Sequence, residues 1–203
     1  AFPVFEALVG PVRAIERFGS DEMKARVIPQ VTAGEATVAV SMSEPDAGTA
    51  LTDLKTRAVD AGDHYVLTGT KRWTSGAGHA RYYVTYCRLS DEEGAKGIGA
   101  VLVEKGMAGV SFGAREELMG FRGIETRDIV LDEVRVPKAN LVVPAGSFGK
   151  LMSAFGLERC GNATQALGVA AGALEQALAY TQERKAFGKP IVDFQAVQIK
   201  LAE

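Results

Sequence analysis

The sequence predicts an α+β fold: a helical segment, an antiparallel β-barrel or sandwich middle domain, and then long helices of a helical bundle. Three observations lead to this prediction. Apolar residues near the start recur at helical spacing, the middle of the chain holds short β-rich runs between turns, and the last stretch is rich in Ala, Leu, Gln and Glu. We expect the domains to span residues 1–34, 35–145 and 146–203.

The first domain is predicted to be helical over residues 1–30. Apolar residues keep helical spacing between Phe5 and Phe18, although Gly10-Pro11 is expected to break or kink this run. Gly19 ends the first helix and Ser20 caps a second one, which is expected to stop before Pro29.

The middle domain is predicted from short runs of β-branched and aromatic residues separated by polar turns. Because no helix-length spacers lie between the runs, we expect an antiparallel sheet. A Rossmann site is not predicted, since no Gly-x-Gly-x-x-Gly turn follows a strand. The predicted strands are Thr37–Met42, His64–Thr68, Arg81–Arg88, Ile98–Glu104, Val110–Phe112 and Asp128–Val136.

The last domain is predicted to begin with one long helix. Ser147 is a suitable N-cap for a helix from Phe148 to about Lys185. Gly188 and Pro190 are expected to end it, and Asp193 is expected to cap the next helix.

Composition narrows the classes of function. The 203 residues, 47% of them hydrophobic, are enough to bury a core, and a net charge of −2 argues against nucleic acid as a partner. No apolar run is long enough to span a membrane, and no signal peptide is visible. Cys87 and Cys160 look unpaired, which fits a reducing compartment. With only two Cys and two His, no transition-metal site is predicted.

The chain begins without Met, and its final helix lacks a C-cap. We therefore expect an internal piece of a longer protein. Any difficult chemistry is expected to need carboxylates or an organic cofactor.

The segment Val40–Thr49, VSMSEPDAGT, is the first candidate ligand site. It combines hydroxyl side chains with a carboxylate, and Pro45 and Gly48 shape its turn so that a flat polar ligand can approach the backbone. A plain surface turn is the alternative interpretation of this segment alone. His64 and His79 are interpreted as ordinary surface or turn residues.

Four segments together resemble the acyl-CoA dehydrogenase family, the FAD enzymes that desaturate acyl-CoA thioesters. They are VSMSEPDAGT (40–49), GTKRWTSGAGHA (69–80), ELMGFRGIETRDIVLDEVRVP (117–137) and YTQERKAFGKPIVDFQAVQIKLAE (180–203). The resemblance runs essentially end to end. It implies the end of an N-terminal helical domain, a middle β domain and the start of a C-terminal helical domain.

The resemblance also implies site residues. Thr49 and Arg159 would contact the substrate, and Arg122 and Thr126 fall at hallmark positions for which a structural role is equally open. The FAD-binding residues it implies are Val40, Met42, Ser43, Gly48, Thr49, Trp73, Thr74, Ser75, Arg184, Phe187 and Gln195. In the family the last three reach the FAD of a neighbouring subunit, which implies a homotetramer.

Desaturation needs a carboxylate that takes the α-proton of the substrate. A minority of the family place this base in a Leu-Glu-Arg sequence on the first long C-terminal helix, and Leu157-Glu158-Arg159 matches that pattern. Glu158 is therefore the candidate base. A helix-surface Glu158, with the base downstream of Glu203, remains the alternative.

The function implied by the resemblance is α,β-desaturation of an acyl-CoA to a trans-2-enoyl-CoA. The hydride would pass to flavin N5 and the electrons to an electron-transferring flavoprotein. A flavin oxidase or monooxygenase acting on nitroalkanes or amines, and a non-catalytic FAD-binding relative, are the alternatives. The expected location is the bacterial cytoplasm or the mitochondrial matrix.

Overall fold

The computed structural model describes residues 10–203, so the helical prediction for residues 1–9 lies outside the described part of the chain. Contacts divide the chain into two units, the first reaching to Glu158 and the second running from Arg159 to Glu203. The helices are α1 (Gly10–Phe18), α2 (Asp21–Thr32), α3 (Phe148–Glu183) and α4 (Gln195–Ala202). The strands are β1 (Val38–Ser41), β2 (Arg57–Asp60), β3 (His64–Ser75), β4 (Tyr82–Arg88), β5 (Ile98–Glu104), β6 (Val110–Phe112), β7 (Thr126–Pro137), β8 (Leu141–Val143), β9 (Lys185–Ala186) and β10 (Lys189–Pro190).

Two predictions about proline concern α1 and α2. Gly10 and Pro11 are the first described residues of α1, where a proline is tolerated because the N–H that it lacks would have no helical acceptor. The predicted break or kink of the run from Phe5 to Phe18 involves residues outside the described part of the chain and stays a prediction. The predicted cap of α2 is confirmed, since the Ser20 hydroxyl accepts a hydrogen bond from the Met23 N–H at 3.1 Å. The prediction that α2 stops before Pro29 is wrong. The helix continues because its buried apolar stripe extends to Val31.

Eight strands form one sheet in the order β6-β7-β3-β2-β4-β5-β8, with β1 paired to β4 outside this path. The α+β fold class is confirmed, but the sheet is mixed and not purely antiparallel. β1 runs parallel to the start of β4, from Val38 opposite Tyr82 to Ser41 opposite Thr85. β2 also meets the far end of β4 in parallel.

The strand predictions differ in accuracy. β5 and β6 have the predicted bounds, whereas β2 and β8 were not predicted. β3 and β7 are longer than predicted because they pair with each other from His64 opposite Pro137 to Ser75 opposite Thr126. A bulge at Gly69 lets β3 pass close to β2, where a Cβ on this glycine would lie 2.7 Å from the Cα of Thr56.

Side chains of β4 alternate between two hydrophobic cores. Tyr82, Val84 and Tyr86 face the core that also contains residues of α1, α2 and the start of α3. Tyr83 and Cys87 face the second core, which lies among residues of β3, β5 and β7. Burial on both faces places β4 at the centre of the first unit.

The second unit contains most of α3, the short β9–β10 hairpin and α4. Phe187 and Gly188 form the hairpin turn with φ of 51° and 82°. The prediction that Asp193 caps the last helix is wrong: Asp193 lies in a 3₁₀ turn, and Phe194 occupies the N-cap position with no side-chain hydrogen bond. Among the described residues, no helix is long and apolar enough to cross a membrane.

Candidate functional site

A pocket of about 530 Å³ in the first unit brings together residues from distant parts of the sequence. A volume of this size is typical of small-molecule and cofactor sites. Six of the predicted site residues line it: Val40, Met42, Ser43, Trp73, Ser75 and Glu158.

A buried ion pair between Glu44 and Lys71 holds the segment 40–49 in place. Lys71 is fully buried, and its Nζ lies 2.7 Å from Glu44 Oε1 and 3.0 Å from the Met42 carbonyl oxygen. The Glu44 carboxylate also accepts hydrogen bonds from the backbone N–H groups of Lys55 (2.6 Å) and Thr56 (3.0 Å). Glu44 is therefore a structural anchor of the segment and is not among the residues that line the pocket.

The surroundings of this ion pair shift the pKa of both groups. Burial alone would raise the pKa of Glu44, but the Lys71 ammonium and the N–H donors outweigh it and hold that pKa below its usual range. Burial lowers the pKa of Lys71, and the Glu44 carboxylate opposes that decrease. The pair thus favours the ionised carboxylate.

The end of β3 forms a second part of the pocket wall. The backbone N–H of Arg72 donates to the Ser43 carbonyl oxygen at 2.8 Å, which connects this strand to the segment 40–49. Trp73 has a φ of 54°, an unfavourable value for an aromatic residue, and the residue is 56% exposed. The backbone N–H of Trp73 donates to Asp128 Oδ1 at 3.2 Å, and the Arg72 guanidinium lies 5.1 Å from the centre of the indole ring. These contacts hold Trp73 at the pocket.

Not every predicted residue of these segments reaches the pocket. Thr74 is buried, and its hydroxyl lies 3.5 Å from that of Ser41, on the side of the strand away from Ser75. Gly48 and Thr49 are exposed and do not line the pocket. Their roles in binding remain predictions.

The structure adds a charged rim, of which the sequence had indicated only Arg122. Glu125 accepts a hydrogen bond from Arg127 Nε at 2.8 Å and lies 3.2 Å from His79 Nε2. Its pKa lies below the usual range, chiefly because of the bond from Arg127. His79 is an exposed residue, as expected, yet it lines the pocket with Arg115 and Arg122.

Strand pairing explains why the rim was missed. The Gly76 N–H donates to the Glu125 carbonyl at 2.7 Å, next to the place where the ends of β3 and β7 meet. This long-range pairing carries residues 115–125 to the pocket. The only signal in the sequence was the match to the family pattern at Arg122 and Thr126.

The remaining wall is helical. Pro11 of α1 and Phe155 and Glu158 of α3 line the pocket, and the Glu158 side chain is half-buried. The pocket therefore combines an indole, the hydroxyls of Ser43 and Ser75, and a carboxylate. Such a set can hold a flat polar ligand and accept a proton from a molecule beside it.

Four predicted residues belong to the second unit: Arg159, Arg184, Phe187 and Gln195. All four are exposed within the described chain. The Phe187 ring contacts that of Phe194 edge to face, with their centres 6.1 Å apart. Their cofactor and substrate contacts remain predictions.

Comparison with known proteins identifies similar sequences and structures. The profile "Acyl-CoA dehydrogenase, middle domain" matches residues 39–134, and "Acyl-CoA dehydrogenase, C-terminal domain" matches residues 148–203. The chain is 38% identical to an acryloyl-CoA reductase (NADH) of Anaerotignum propionicum, over 97% of this chain and 50% of the relative.

Two solved structures are similar in fold. Butyryl-CoA dehydrogenase from Megasphaera elsdenii has a TM-score of 0.93 and 32% identity, over 98% of this chain and 52% of that one. A glutaryl-CoA dehydrogenase from Mycobacterium smegmatis in complex with FADH2 has a TM-score of 0.86 and 32% identity, over 93% and 48%. The chain spans about half the length of the curated relatives it matches.

Proposed function

The chain belongs to the acyl-CoA dehydrogenase family, and we propose that the protein containing it is an FAD-dependent enzyme acting on the Cα–Cβ bond of an acyl-CoA thioester. The observation that carries the proposal is the pocket that joins Ser43, Trp73 and Ser75 with Glu158. These residues come from separate segments of the sequence. Their convergence in one pocket supports a shared chemical task.

The residues of the pocket fit a flavin. Trp73 offers an exposed indole face for the ring system, and Ser43 and Ser75 offer hydroxyl groups to its polar edge. The similar glutaryl-CoA dehydrogenase structure contains FADH2. FAD supplies a two-electron acceptor, a capacity that no side chain of the pocket has.

Glu158 is the residue we assign to proton transfer. Its carboxylate lines the pocket and can take the α-proton of a thioester held there. Pro11 and Phe155, the apolar neighbours of Glu158 in this wall, help to exclude water from the acyl chain. Arg159 follows on the same helix and is proposed to contact the substrate.

Reduction of a 2-enoyl-CoA is a second candidate, favoured by the similarity to an acryloyl-CoA reductase. The same residues would serve both directions, since a base that takes the α-proton in one direction returns it in the other. We propose an electron-transferring flavoprotein as the partner and a homotetramer as the assembly, as the family resemblance implies.

The test is the substitution Glu158→Gln in the full-length, FAD-loaded protein. Mixed anaerobically with a panel of acyl-CoAs, the parent protein should lose its flavin absorbance, and the variant should not, although it keeps its FAD. Glu175→Gln is the matched control, because Glu175 is an exposed residue of the same helix. Adding an enoyl-CoA to the reduced protein measures the opposite direction.

Other outcomes point elsewhere. Equal bleaching of the parent and Glu158→Gln would move the base to another residue. Rapid reoxidation of the reduced flavin by oxygen would favour an oxidase. A parent protein that binds FAD but reacts with no acyl-CoA or enoyl-CoA would overturn the proposal and favour a non-catalytic relative.

A further inference from the structure

The carboxylate of Glu158 occupies the space that a side chain at position 10 would need. A Cβ added to Gly10 would overlap Glu158 Oε2 and would lie 2.6 Å from its Cδ and 3.3 Å from its Oε1. The first two separations are shorter than a non-bonded contact allows. Gly10 is buried at the start of α1, so the added atom could not point into solvent.

Backbone conformation does not explain a glycine at this position. Gly10 is helical and does not have the positive φ that favours glycine. A helix accepts alanine more readily than glycine, so local propensity alone would favour alanine here. Among the described residues, the Glu158 carboxylate is the group that a side chain at position 10 would displace.

We propose that Gly10 is a positioning residue for Glu158, because it leaves the space in which the carboxylate sits. The proposal rests on the proposed function, in which Glu158 takes the α-proton. Catalysis depends on such placement, since a misplacement of about 1 Å can reduce a rate by roughly 100-fold.

Thermal unfolding of the full-length protein tests the steric part without any activity. Gly10→Ala should raise the Tm less than Gly149→Ala does, because alanine is the better helix former but the carboxylate at the end of Glu158 has to move. In a Glu158→Ala background, Gly10→Ala should raise the Tm as much as Gly149→Ala does. Gly149→Ala is the control, because a Cβ at this helical glycine has no atom within 4 Å. Equal effects of Gly10→Ala in both backgrounds, matching Gly149→Ala, would overturn the steric part.

Single-turnover flavin reduction by an acyl-CoA tests the effect on Glu158. Gly10→Ala should reduce the rate by roughly 100-fold while the FAD content and the Kd for the acyl-CoA change little. Glu158→Asp shortens the side chain by one methylene and so leaves room for the added methyl group. In a Glu158→Asp background, Gly10→Ala should therefore reduce the rate by a smaller factor than it does in the parent protein. A loss of affinity and rate together, without this rescue, would indicate a general packing defect and overturn the assignment.

If the parent protein reacts with no acyl-CoA, the proposed function fails, whereas the thermal coupling between Gly10 and Glu158 still decides the steric part.

Discussion

Two carboxylates of the first unit, Glu44 and Glu158, have contrasting surroundings. Glu44 is buried, pairs with Lys71 at 2.7 Å and accepts two backbone hydrogen bonds. Glu158 is half-buried, lines the pocket and packs against the backbone of Gly10. Several donors hold the buried Glu44 carboxylate away from the pocket, whereas the Glu158 carboxylate lies in the pocket wall. A buried carboxylate of the first kind serves structure, and one that lines a pocket can meet a ligand.

The largest effect should come from Lys71→Met. This change leaves Glu44 buried without its cation, and breaking a buried pair in this way costs about 3–5 kcal/mol. Urea unfolding of the full-length protein measures the loss. Lys55→Met is the matched control: the Lys55 pair with Asp46 is exposed, so its loss should cost less than about 1 kcal/mol. Similar losses in the two variants would remove the distinction between a buried anchor and a surface pair.

Glu44→Gln should cost less, about 1–3 kcal/mol at neutral pH, and should alter the response to acid. The folded-state pKa of Glu44 lies below its usual 4.5, so its contribution to stability is present above that pH and is lost as the pH falls through the folded-state pKa. Urea titrations at a series of pH values should show the parent and Glu44→Gln converging in acid. A constant difference in the free energy of unfolding across this range would contradict the pKa shift.

The smallest effect on stability should come from Glu158→Gln, below about 1 kcal/mol. The two side chains have nearly the same shape, and the position lies beside a pocket where packing is incomplete. The same urea titration applies, at neutral pH. A loss as large as that of Glu44→Gln would show that Glu158 is also a structural anchor and would weaken its assignment to proton transfer.

The strands show where local sequence was sufficient. Ile98–Glu104 and Val110–Phe112 have their predicted bounds because apolar composition and flanking turns define them locally. The run Arg57–Asp60 was missed because polar and charged residues flank its apolar ones and only pairing to its neighbours makes it a strand. The same holds for the helix through Pro29, which tertiary packing maintains against local propensity.

The candidate site was predicted by resemblance more than by chemistry. Six residues implied by the family pattern line one pocket, whereas the rim residue Glu125 arrives there through strand pairing that no local pattern encodes. The direction of the Glu44 side chain also depends on Lys71, which belongs to another strand. Nothing in the sequence near Gly10 indicates that Glu158 needs its space.

The parallel pairing of β1 with β4 has a consequence for biosynthesis. Residues emerge from the ribosome in order from the N-terminus, so Val38–Ser41 cannot pair until Tyr82–Thr85 have been made. Glu44 must likewise wait for Lys71 before its charge is matched. The segment from Val38 to Glu44 is therefore translated well before its pairing partners in β3 and β4. During that interval, its apolar residues and its carboxylate face water or a chaperone.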